Sequence, residues 1–583
     1  MIIMKQKNII AAFCCVALLA MTSCGEDFLY KAPQGSIDQN ALENEIGLNL
    51  LVVSTYANLT ENDWGASPFN WTFGGMYGGD ANKGSDPGDQ SVLNEMEMYN
   101  TTSTNGYLNE KWNWTYKGVS RANRAIRTLA NVEGLSENIA KSRRGELVFL
   151  RTMFYFEAIK VFGPFIPYIE ETLEENDPKI HNDKDIYSNV LADIDIAISN
   201  LPETQSEVGR PNSWAAKALK AKILMQKGDV AAAKSILTDI VNNGKTSSGA
   251  AYGLQNDLNA NWDGLRENGK ESIFEIQFSA NANNGNSGMS LCYPHNSGPG
   301  GCCGFYQPSF ELVNSFQVDA NGLPYINGEY RTKPTVSKVN DKAGEDEPVG
   351  VNDNSIAVDP RLDFAIGRYG IPYKDWGNPK NDWVRNPTNG GIFVPKKHVF
   401  SKAEEDAGLK TNHDGWAPSS AMNIQYLSLR DMMLMYAECL ANDGETAAAM
   451  EQVNKIRARA ALEENIVTLP DGSPAANYKV DLYPSSHAAF TDKATCIKAV
   501  RMERKLELAM EGLRWFDLQR WGGEYMSQEL SAYINYERQY IPKFSGASVL
   551  PAAKTMFPVP DGQVQTMGND ENGNPYLKQP SAW

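Results

Sequence analysis

The stretch AKILMQKGDVAAAKSIL, residues 221–237, has a spaced counterpart in AECLANDGETAAAMEQV, residues 437–453. In both, a leucine follows the first alanine by three residues, a glycine by seven and a second alanine by twelve. Small residues let two helices approach closely, and a glycine can end one helix in the left-handed conformation that a tight turn needs. The spacing therefore predicts two helical hairpins more than two hundred residues apart.

This spacing is typical of tetratricopeptide repeats, whose units bury their apolar faces only against neighbouring units. Further, less regular helix pairs should therefore flank the two copies. Apolar residues recur at three-to-four spacing in residues 109–132 and 141–163, and also in residues 185–202. These segments are predicted helices, and the first two are candidates for additional repeat units. The chain is accordingly predicted to be mostly α-helical.

The sequence between the helical blocks has a different character. Residues 64–100 and 280–414 are rich in glycine, asparagine, aspartate, proline and aromatic residues. The segment ESIFEIQFS, Glu271–Ser279, alternates apolar and polar residues and predicts a β-strand. Long segments without a regular period usually form functional or disordered loops, and the density of aromatic residues favours function. We therefore expect an irregular, loop-rich lobe with short strands beside the helical scaffold.

The amino terminus has the layout of a secretory signal. Lys5 and Lys7 precede an apolar run from Ile9 to Met21, which is too short to span a bilayer. The run closes on Thr-Ser-Cys, which resembles a bacterial lipoprotein cleavage site. We therefore predict a signal peptide over residues 1–23 and lipidation at Cys24. Ordinary secretion, with Cys24 as a bystander, is the alternative.

Composition limits the possible partners. The chain has 583 residues, with 54 basic and 71 acidic side chains, and its net charge is -17. Nucleic acids and anionic membrane surfaces are bound through basic patches, so an acidic chain is a poor partner for either. Neutral ligands remain compatible with this charge.

Several segments together resemble the SusD/RagB-type outer-membrane lipoproteins. They follow one another in order from Cys24 almost to the carboxyl terminus. They are WTYKGVSRANRAI (114–126), FLRTMFYFEAIKVFGPFIPY (149–168), GRPNSWAAKALKAKILMQKGD (209–229), GFYQPSFELVNSFQVDANGLP (304–324), DPRLD (359–363), YLSLRDMMLMYAECLAN (426–442), VNKIRARA (453–460), RMERKLELAMEGLRWFDLQRWG (501–522) and MFPVP (556–560).

The resemblance implies a SusD-like fold over residues 24–583, with tetratricopeptide units as the scaffold. Its predicted parts are an amino-terminal helical region (24–270), a loop-rich variable lobe (271–420) and a carboxyl-terminal helical region (421–583). It also implies a surface lipoprotein, anchored at Cys24 in the outer membrane, that captures oligosaccharides. Such a protein delivers its ligand to a SusC-like TonB-dependent transporter and uses no cofactor. Glu26 and Asp27 resemble the acidic tag of surface-exported lipoproteins.

Sugar binding needs flat aromatic rings beside polar side chains, because sugars present apolar C–H faces as well as hydroxyl groups. The loops near residues 62–90, 292–298 and 373–383 have this mixture. For each tryptophan, packing in the core is the competing interpretation. The predicted ligand-binding residues are Trp64, Trp71, Asp80, Asn82, Tyr293, Trp376 and Trp383.

Catalysis is not predicted. Glu503, Glu507 and Glu511 lie at four-residue steps near several arginines, and we interpret them as an ion-paired structural helix. A glycosidase would need two carboxylates on opposite sides of a cleft. No zinc-protease, serine-hydrolase or phosphate-loop motif is present, and the five histidines have no ligand spacing. Asp86 and Asp89 with Asp80 could hold calcium, but a solvated acidic loop is favoured.

Two other functions remain open in the sequence. The same scaffold could capture peptides or glycopeptides, or it could be a tetratricopeptide scaffold that binds only other proteins. The cysteines also leave alternatives: Cys292 could pair with Cys302 or Cys303, or all three could be free thiols. Cys439 and Cys496 are predicted to be buried small apolar residues.

Overall fold

The structure is a computed structural model. It describes residues 42–61, 63–173, 179–281, 285–340, 347–413 and 416–583, with the backbone alone at residue 413. The predicted signal peptide (1–23), the predicted lipidation site Cys24 and the acidic pair Glu26–Asp27 lie outside the described residues. No helix among the described residues is long and apolar enough to cross a membrane.

Helices dominate the described chain, as the sequence predicts. We number the α-helices in chain order: α1 Glu45–Thr60, α2 Val92–Glu97, α3 Gly106–Asn131, α4 Glu137–Phe162, α5 Tyr187–Asn200, α6 Ser213–Lys227, α7 Val230–Asn243, α8 Phe310–Ser315, α9 Arg361–Ala365, α10 Pro387–Gly390, α11 Lys402–Asp406, α12 Leu429–Asp443, α13 Thr446–Ala460, α14 Lys493–Glu507, α15 Arg514–Arg520, α16 Gly523–Glu537 and α17 Asp561–Met567. A π-helical turn spans Trp71–Met76.

The two repeated stretches form the predicted helical hairpins. Helices α6 and α7 pack against each other around Gly228, and α12 and α13 pack against each other around Gly444. Both glycines have left-handed backbone conformations, with φ values of 87° and 80°. The alanines at the twelfth step, Ala233 and Ala449, are fully buried. The hairpins are confirmed, while their assignment as tetratricopeptide units stays a prediction.

The hairpins belong to a continuous stack of helices. Each helix from α3 to α7 packs against the next, α1 packs on α3, and α7 contacts α12 and so joins the two hairpins. The predicted helices 109–132 and 141–163 correspond to α3 and α4, shifted by one to four residues at their ends. Ser136 caps α4 by accepting a hydrogen bond from the N–H of Ile139, and every residue from Gly145 to Phe162 is buried. Helix α4 is therefore a central helix of the stack.

The strands are short, as expected for the loop-rich lobe. They are β1 Ala81–Lys83, β2 Ser272–Ile276, β3 Tyr306–Pro308, β4 Ser337–Val339, β5 Gly350–Asn352, β6 Ile366–Gly367, β7 Val394–Pro395, β8 Lys410–His413, β9 Ala417–Ser420 and β10 Ile424–Ser428. They pair antiparallel in five two-stranded sheets: β1 with β3, β2 with β10, β4 with β5, β6 with β7 and β8 with β9. The strand predicted over Glu271–Ser279 is β2, which is shorter than predicted at both ends.

The sheet of β2 and β10 joins the two ends of the predicted variable lobe. Ile276 lies opposite Ile424, and Ser272 lies opposite Ser428. The lobe therefore leaves and re-enters the helical scaffold at one place. The boundaries at residues 270 and 420 stay predictions.

Buried ion pairs connect α14 to α9 and α13. Glu503 accepts from Arg361 at 2.6 Å and from Arg457 at 3.1 Å, and all three side chains are buried. Glu507 contacts Arg459 and Arg361. Burial alone would raise the pKa of Glu507, but these two arginines outweigh it and lower that pKa to about 2.

Glu511 contacts Lys397 at 2.8 Å and Arg430 at 3.1 Å. The ion-paired, structural interpretation of the three glutamates is confirmed, but their placement on one helix is wrong, because α14 ends at Glu507.

Candidate functional site

The most exposed large aromatic side chain of the loop-rich lobe is Trp416, in the turn between β8 and β9. Its exposed fraction is 56%, whereas most aromatic side chains of the described residues are buried. The ring of Trp416 meets that of Trp64 edge to face, with centroids 6.5 Å apart and planes 76° apart. We call this pair the tryptophan corner. It presents two ring surfaces nearly at right angles.

Two hydrogen bonds hold the Trp64 side of the corner in place. The indole Nε1–H of Trp64 donates to Ser290 Oγ at 2.8 Å, and the N–H of Gly65 donates to Glu110 Oε2 at 2.8 Å. Gly65 also lies directly on α3, because an added Cβ would stand 2.8 Å from the carbonyl oxygen of Tyr107. Contacts this close exclude a side chain at position 65. The turn that carries Trp64 is therefore fixed to the start of α3.

Two carboxylates belong to the turn that carries Trp64 or contact it. Asp63 is exposed and precedes Trp64, and Glu110 is partly buried under the same turn. Burial raises the pKa of Glu110 to about 7, and the nearby charge of Asp63 acts in the same direction. Among the described residues, neither carboxylate forms an ion pair. Both can therefore accept hydrogen bonds from a ligand.

The tryptophan corner has the types of surface that a sugar can contact. An aromatic ring face offers an apolar surface for the C–H face of a pyranose, and carboxylates accept hydrogen bonds from its hydroxyl groups. The described residues contain no cluster of three histidine, cysteine, aspartate or glutamate side chains that could hold a metal ion.

The structure brings only one of the seven predicted ligand-binding residues, Trp64, into this corner. Trp71 is fully buried, and its Nε1–H donates to the carbonyl oxygen of Gly288 at 2.9 Å. That bond ties the main core to the 3₁₀ turn Ser287–Met289, which directly precedes Ser290. Trp71 is therefore a core residue and has no surface that a ligand could contact.

Asp80 directly precedes β1 and Asn82 lies in β1, and both side chains are buried. The Oδ2 atom of Asp80 accepts from the N–H of Met510 at 3.2 Å. Asn82 donates to Glu537 Oε2 at 2.8 Å and accepts from the hydroxyl of Tyr533 at 2.7 Å. Burial raises the pKa of Asp80 to about 7 and that of Glu537 to about 8. These side chains form hydrogen bonds inside the protein and are not accessible to a ligand.

Tyr293, Trp376 and Trp383 share a second, smaller core. Tyr293 and Trp383 are 2% exposed, and Trp383 meets Tyr373 edge to face with centroids 5.2 Å apart. Trp376 lies at the rim of this core, half-buried, and its Nε1–H donates to the carbonyl oxygen of Phe400 at 3.0 Å. Of the three, Trp376 alone keeps a surface that a ligand could touch.

One arginine pairs with both aspartates of the acidic loop after β1. Arg385 lies 2.7 Å from Asp86 Oδ2 and 3.0 Å from Asp89 Oδ2, while Asp80 is buried elsewhere. The three aspartates considered for calcium therefore do not converge on one point. The acidic loop favoured from the sequence is solvated, with the Asp86 and Asp89 side chains 44% and 39% exposed, and it is also ion-paired.

The pairing of the cysteines differs from both alternatives left open by the sequence. Cys302 and Cys303, adjacent in the chain, form a disulfide with each other. Cys292 is a buried free thiol, as are Cys439 and Cys496. The prediction that Cys439 and Cys496 are buried is confirmed, and the pairing of Cys292 with either neighbour is wrong.

Sequence reasoning missed Trp416. It follows a glycine in a polar turn, NHDGWAPSS, and so has the same local signal as Trp376. It lies just beyond residue 414, where the loop-rich segment was predicted to end. Local composition could have identified it, but only the packing of β8 and β9 shows that it meets Trp64.

The fold agrees with that of the proteins to which the chain is similar. A family model described as "SusD family" matches residues 270–577, more than half of the chain, and one described as "Starch-binding associating with outer membrane" matches residues 73–225. The chain belongs to the SusD family.

Individual relatives are distant but similar over almost their full length. The SusD-like protein P38 of Formosa agariphila is 26% identical over 531 residues, which cover 88% of this chain and 92% of that protein. The crystal structure of a SusD superfamily protein from Bacteroides vulgatus is 20% identical, with a TM-score of 0.66 and coverage of 93% and 100%. Surface glycan-binding protein A from Bacteroides thetaiotaomicron, solved with laminarihexaose, is 16% identical, with a TM-score of 0.61 and coverage of 92% and 99%.

Proposed function

We propose that this protein binds glycans at the tryptophan corner and holds them without cleaving them. The observation that carries the proposal is the exposed Trp416 ring set against Trp64, with the carboxylates of Asp63 and Glu110 in or against the Trp64 turn. Solved structures of similar fold support it, because they include a laminarin-binding SusD-like protein as well as the laminarihexaose complex. Ring stacking supplies affinity, and the polar groups select the sugar.

Binding without catalysis is supported by the state of the carboxylates. The glutamates that most resembled an acid–base set, Glu503, Glu507 and Glu511, are buried and paired with arginine or lysine. Asp63 is exposed, whereas Glu110 is partly buried and accepts from the N–H of Gly65. Neither set offers two exposed carboxylates facing each other across a cleft, as glycoside hydrolysis requires.

We further propose that the protein works at the outer membrane. The apolar run that closes on Thr-Ser-Cys24 resembles a lipoprotein signal and supports an anchor at Cys24. The family model matched by residues 73–225 is described as associating with the outer membrane. Two or more acyl chains give a stable anchor. From the family resemblance, the partner that receives the glycan is a SusC-like TonB-dependent transporter.

The test is a binding panel on the soluble chain that starts at residue 25. Neutral polysaccharides, including laminarin and starch, are titrated by calorimetry beside digests of soluble proteins. We expect at least one polysaccharide to bind, and size-exclusion chromatography after overnight incubation to show an unchanged length distribution. Binding of peptides with no polysaccharide bound would instead support peptide capture, and shortened glycan would show an enzyme.

A further inference from the structure

An apolar pocket with a volume of about 260 Å³ lies along α3, and none of its lining residues belongs to the tryptophan corner. Helix α3 contributes Trp112, Tyr116 and Val119 to the lining. The segment after α4 contributes Leu173 among others, and α17 with the segment that follows it contributes Leu577 among others. Eight of the eleven lining side chains are apolar or aromatic. We call this cavity the α3 pocket.

Side chains of α3 hold the segment after α4 beside the pocket. The hydroxyl of Tyr116 donates to the carbonyl oxygen of Pro167 at 2.8 Å, and Asn123 Nδ2 donates to that of Ile169 at 2.9 Å. Pro167 and Ile169 both line the pocket. This wall of the pocket is therefore fixed by hydrogen bonds within the fold.

The amino-terminal part of the chain enters the described fold beside the same helix. Asn131, the last residue of α3, donates from Nδ2 to Glu43 Oε1 at 2.7 Å. Arg127, which lines the pocket, lies one turn before Asn131, about 6 Å away along the helix axis. The residues that precede Leu42 therefore begin next to one end of the α3 pocket.

The sequence of that amino-terminal part matches an apolar pocket. Residues 25–41 contain a run of three large apolar side chains, Phe28–Tyr30, and one further such residue, Ile37. Left in water, the run would expose a contiguous apolar surface. The other segment outside the described residues that adjoins the pocket follows Leu173, and its sequence, EENDP, has no large apolar side chain. Of the two segments, the amino-terminal one therefore has the side chains that an apolar pocket can bury.

The length of the segment is sufficient for this. Phe28 precedes Leu42 by 14 residues, and an extended chain of that length spans about 46 Å. The lining residues of α3, from Trp112 to Arg127, extend over about 22 Å of the helix. The apolar run can therefore reach every part of the pocket.

We propose that Phe28, Leu29 and Tyr30 of this chain's own amino-terminal segment dock in the α3 pocket. Docking removes the three side chains from water, and the rings of Trp112 and Tyr116 give the two aromatic residues aromatic neighbours. The docking is independent of glycan binding at the tryptophan corner, with which the pocket shares no residue.

Docking makes the connection between the anchor and the fold short and fixed. Cys24 precedes Phe28 by four residues, which span at most about 14 Å. Acyl chains on Cys24 therefore lie close to the α3 pocket and hold this face of the protein toward the membrane. This consequence rests on the proposed anchor, whereas the docking itself does not.

Cleavage by chymotrypsin tests the docking, because this protease must take an aromatic or leucine side chain into its own binding pocket. The soluble chain that starts at residue 25 is digested briefly, and mass spectrometry measures cleavage after residues 28, 29 and 30. Ser120→Trp places a large ring at the exposed edge of the pocket and blocks it. We expect cleavage at these three positions to be at least tenfold faster in Ser120→Trp than in wild type.

The matched control is Lys117→Trp. It carries the same ring on the same helix, at an exposed position outside the pocket lining. Its segment should be cleaved at the wild-type rate. Thermal unfolding shows that both variants are folded.

A second measurement does not depend on the protease. Phe28→Ser with Leu29→Ser and Tyr30→Ser removes the docking side chains, so the melting temperature should fall by about 2 °C or more. The same triple substitution in the Ser120→Trp background should leave the melting temperature unchanged, because the pocket is already blocked. Differential scanning calorimetry of the four proteins measures this coupling.

Several results would overturn the docking. One is equal cleavage of wild type and Ser120→Trp, whether both are fast or both are slow. Another is a triple variant that melts like wild type. A dimer that Ser120→Trp abolishes, together with an unprotected segment, would show that a second copy of the chain occupies the pocket instead. None of these results changes the glycan-binding proposal, which the polysaccharide panel tests separately.

Discussion

At the scale of single residues, burial decides which aromatic and polar side chains are available to a ligand. Trp71, Trp383 and Tyr293 have the loop context of ligand-binding residues, yet all three lie inside the protein. Trp416 has a similar context and is more than half exposed. Composition shows that a loop is rich in aromatic residues, but the exposure of each ring depends on contacts with distant parts of the chain.

A buried carboxyl group makes a testable contribution to the pH dependence of stability. Burial raises the pKa of Glu537 to about 8 in the folded protein, against about 4.3 for an unfolded chain. Asn82 and the N–H of Glu311 hydrogen-bond to it, and the carboxylates of Glu311 and Glu97 oppose its ionisation. A raised carboxyl pKa stabilises the fold fully below the unfolded value and loses that effect as pH rises through the folded value.

We therefore expect the melting temperature of the wild-type protein to fall between pH 5 and pH 9 more steeply than that of Glu537→Gln. The amide keeps an acceptor for the N–H of Glu311 and cannot ionise. Differential scanning calorimetry at one-unit pH steps measures the two slopes. Parallel slopes would show that Glu537 is already ionised in the folded protein.

At the scale of elements, the helices could be predicted because their signals are local. Periodic apolar residues located α3, α4 and α5 to within a few residues, and the repeated glycines located the turns after α6 and α12. The short strands of the lobe have no such period. For example, β1 pairs with β3 across more than two hundred residues, and nothing in either three-residue strand indicates its partner.

The turn that carries Trp64 offers a prediction at this scale. A Cβ at position 65 would lie 2.7 Å from Glu110 Oε2 and 2.8 Å from the carbonyl oxygen of Tyr107. Overpacking of this kind typically costs about 1–3 kcal/mol and shifts the backbone. Gly65→Ala should therefore move Trp64 away from Ser290 and weaken glycan binding about fivefold or more.

Calorimetric titration of the folded variant measures this effect. The control is Gly88→Ala, because a Cβ at Gly88 would meet nothing within 4 Å. That variant should bind like wild type. Unchanged binding by Gly65→Ala would show that the position of Trp64 is not set by the contact of its turn with α3.

At the scale of the whole molecule, the loop-rich lobe is attached to the helical stack through buried contacts. A buried ion pair between Arg361 of the lobe and Glu503 of α14, at 2.6 Å, attaches the lobe to the scaffold without exposing charge. Removing one partner from a buried pair typically costs about 3–5 kcal/mol, because the remaining charge is left unpaired. The tryptophan corner spans two parts of the chain, because Trp64 belongs to the amino-terminal region and Trp416 to the lobe.

The proposed anchor has its own expected outcome. In the intact chain, Cys24→Ala removes the thiol to which lipid would be attached, so the protein should move from the membrane fraction to the soluble fraction. Fractionation followed by immunoblotting measures this distribution. Cys292→Ser, at a buried free thiol, is the control and should stay with the membrane. Retention of the Cys24→Ala protein in the membrane would contradict anchoring at that residue.

The central claim is that the exposed ring of Trp416, set against Trp64, is where a glycan binds. The most direct measurement is the affinity of Trp416→Ala for a polysaccharide that wild type binds, by calorimetric titration. Trp583→Ala is the control, because Trp583 is a half-buried tryptophan at the carboxyl terminus. We predict about tenfold weaker binding for Trp416→Ala, or about 1.4 kcal/mol, and no change for the control. Wild-type affinity in Trp416→Ala would contradict the claim.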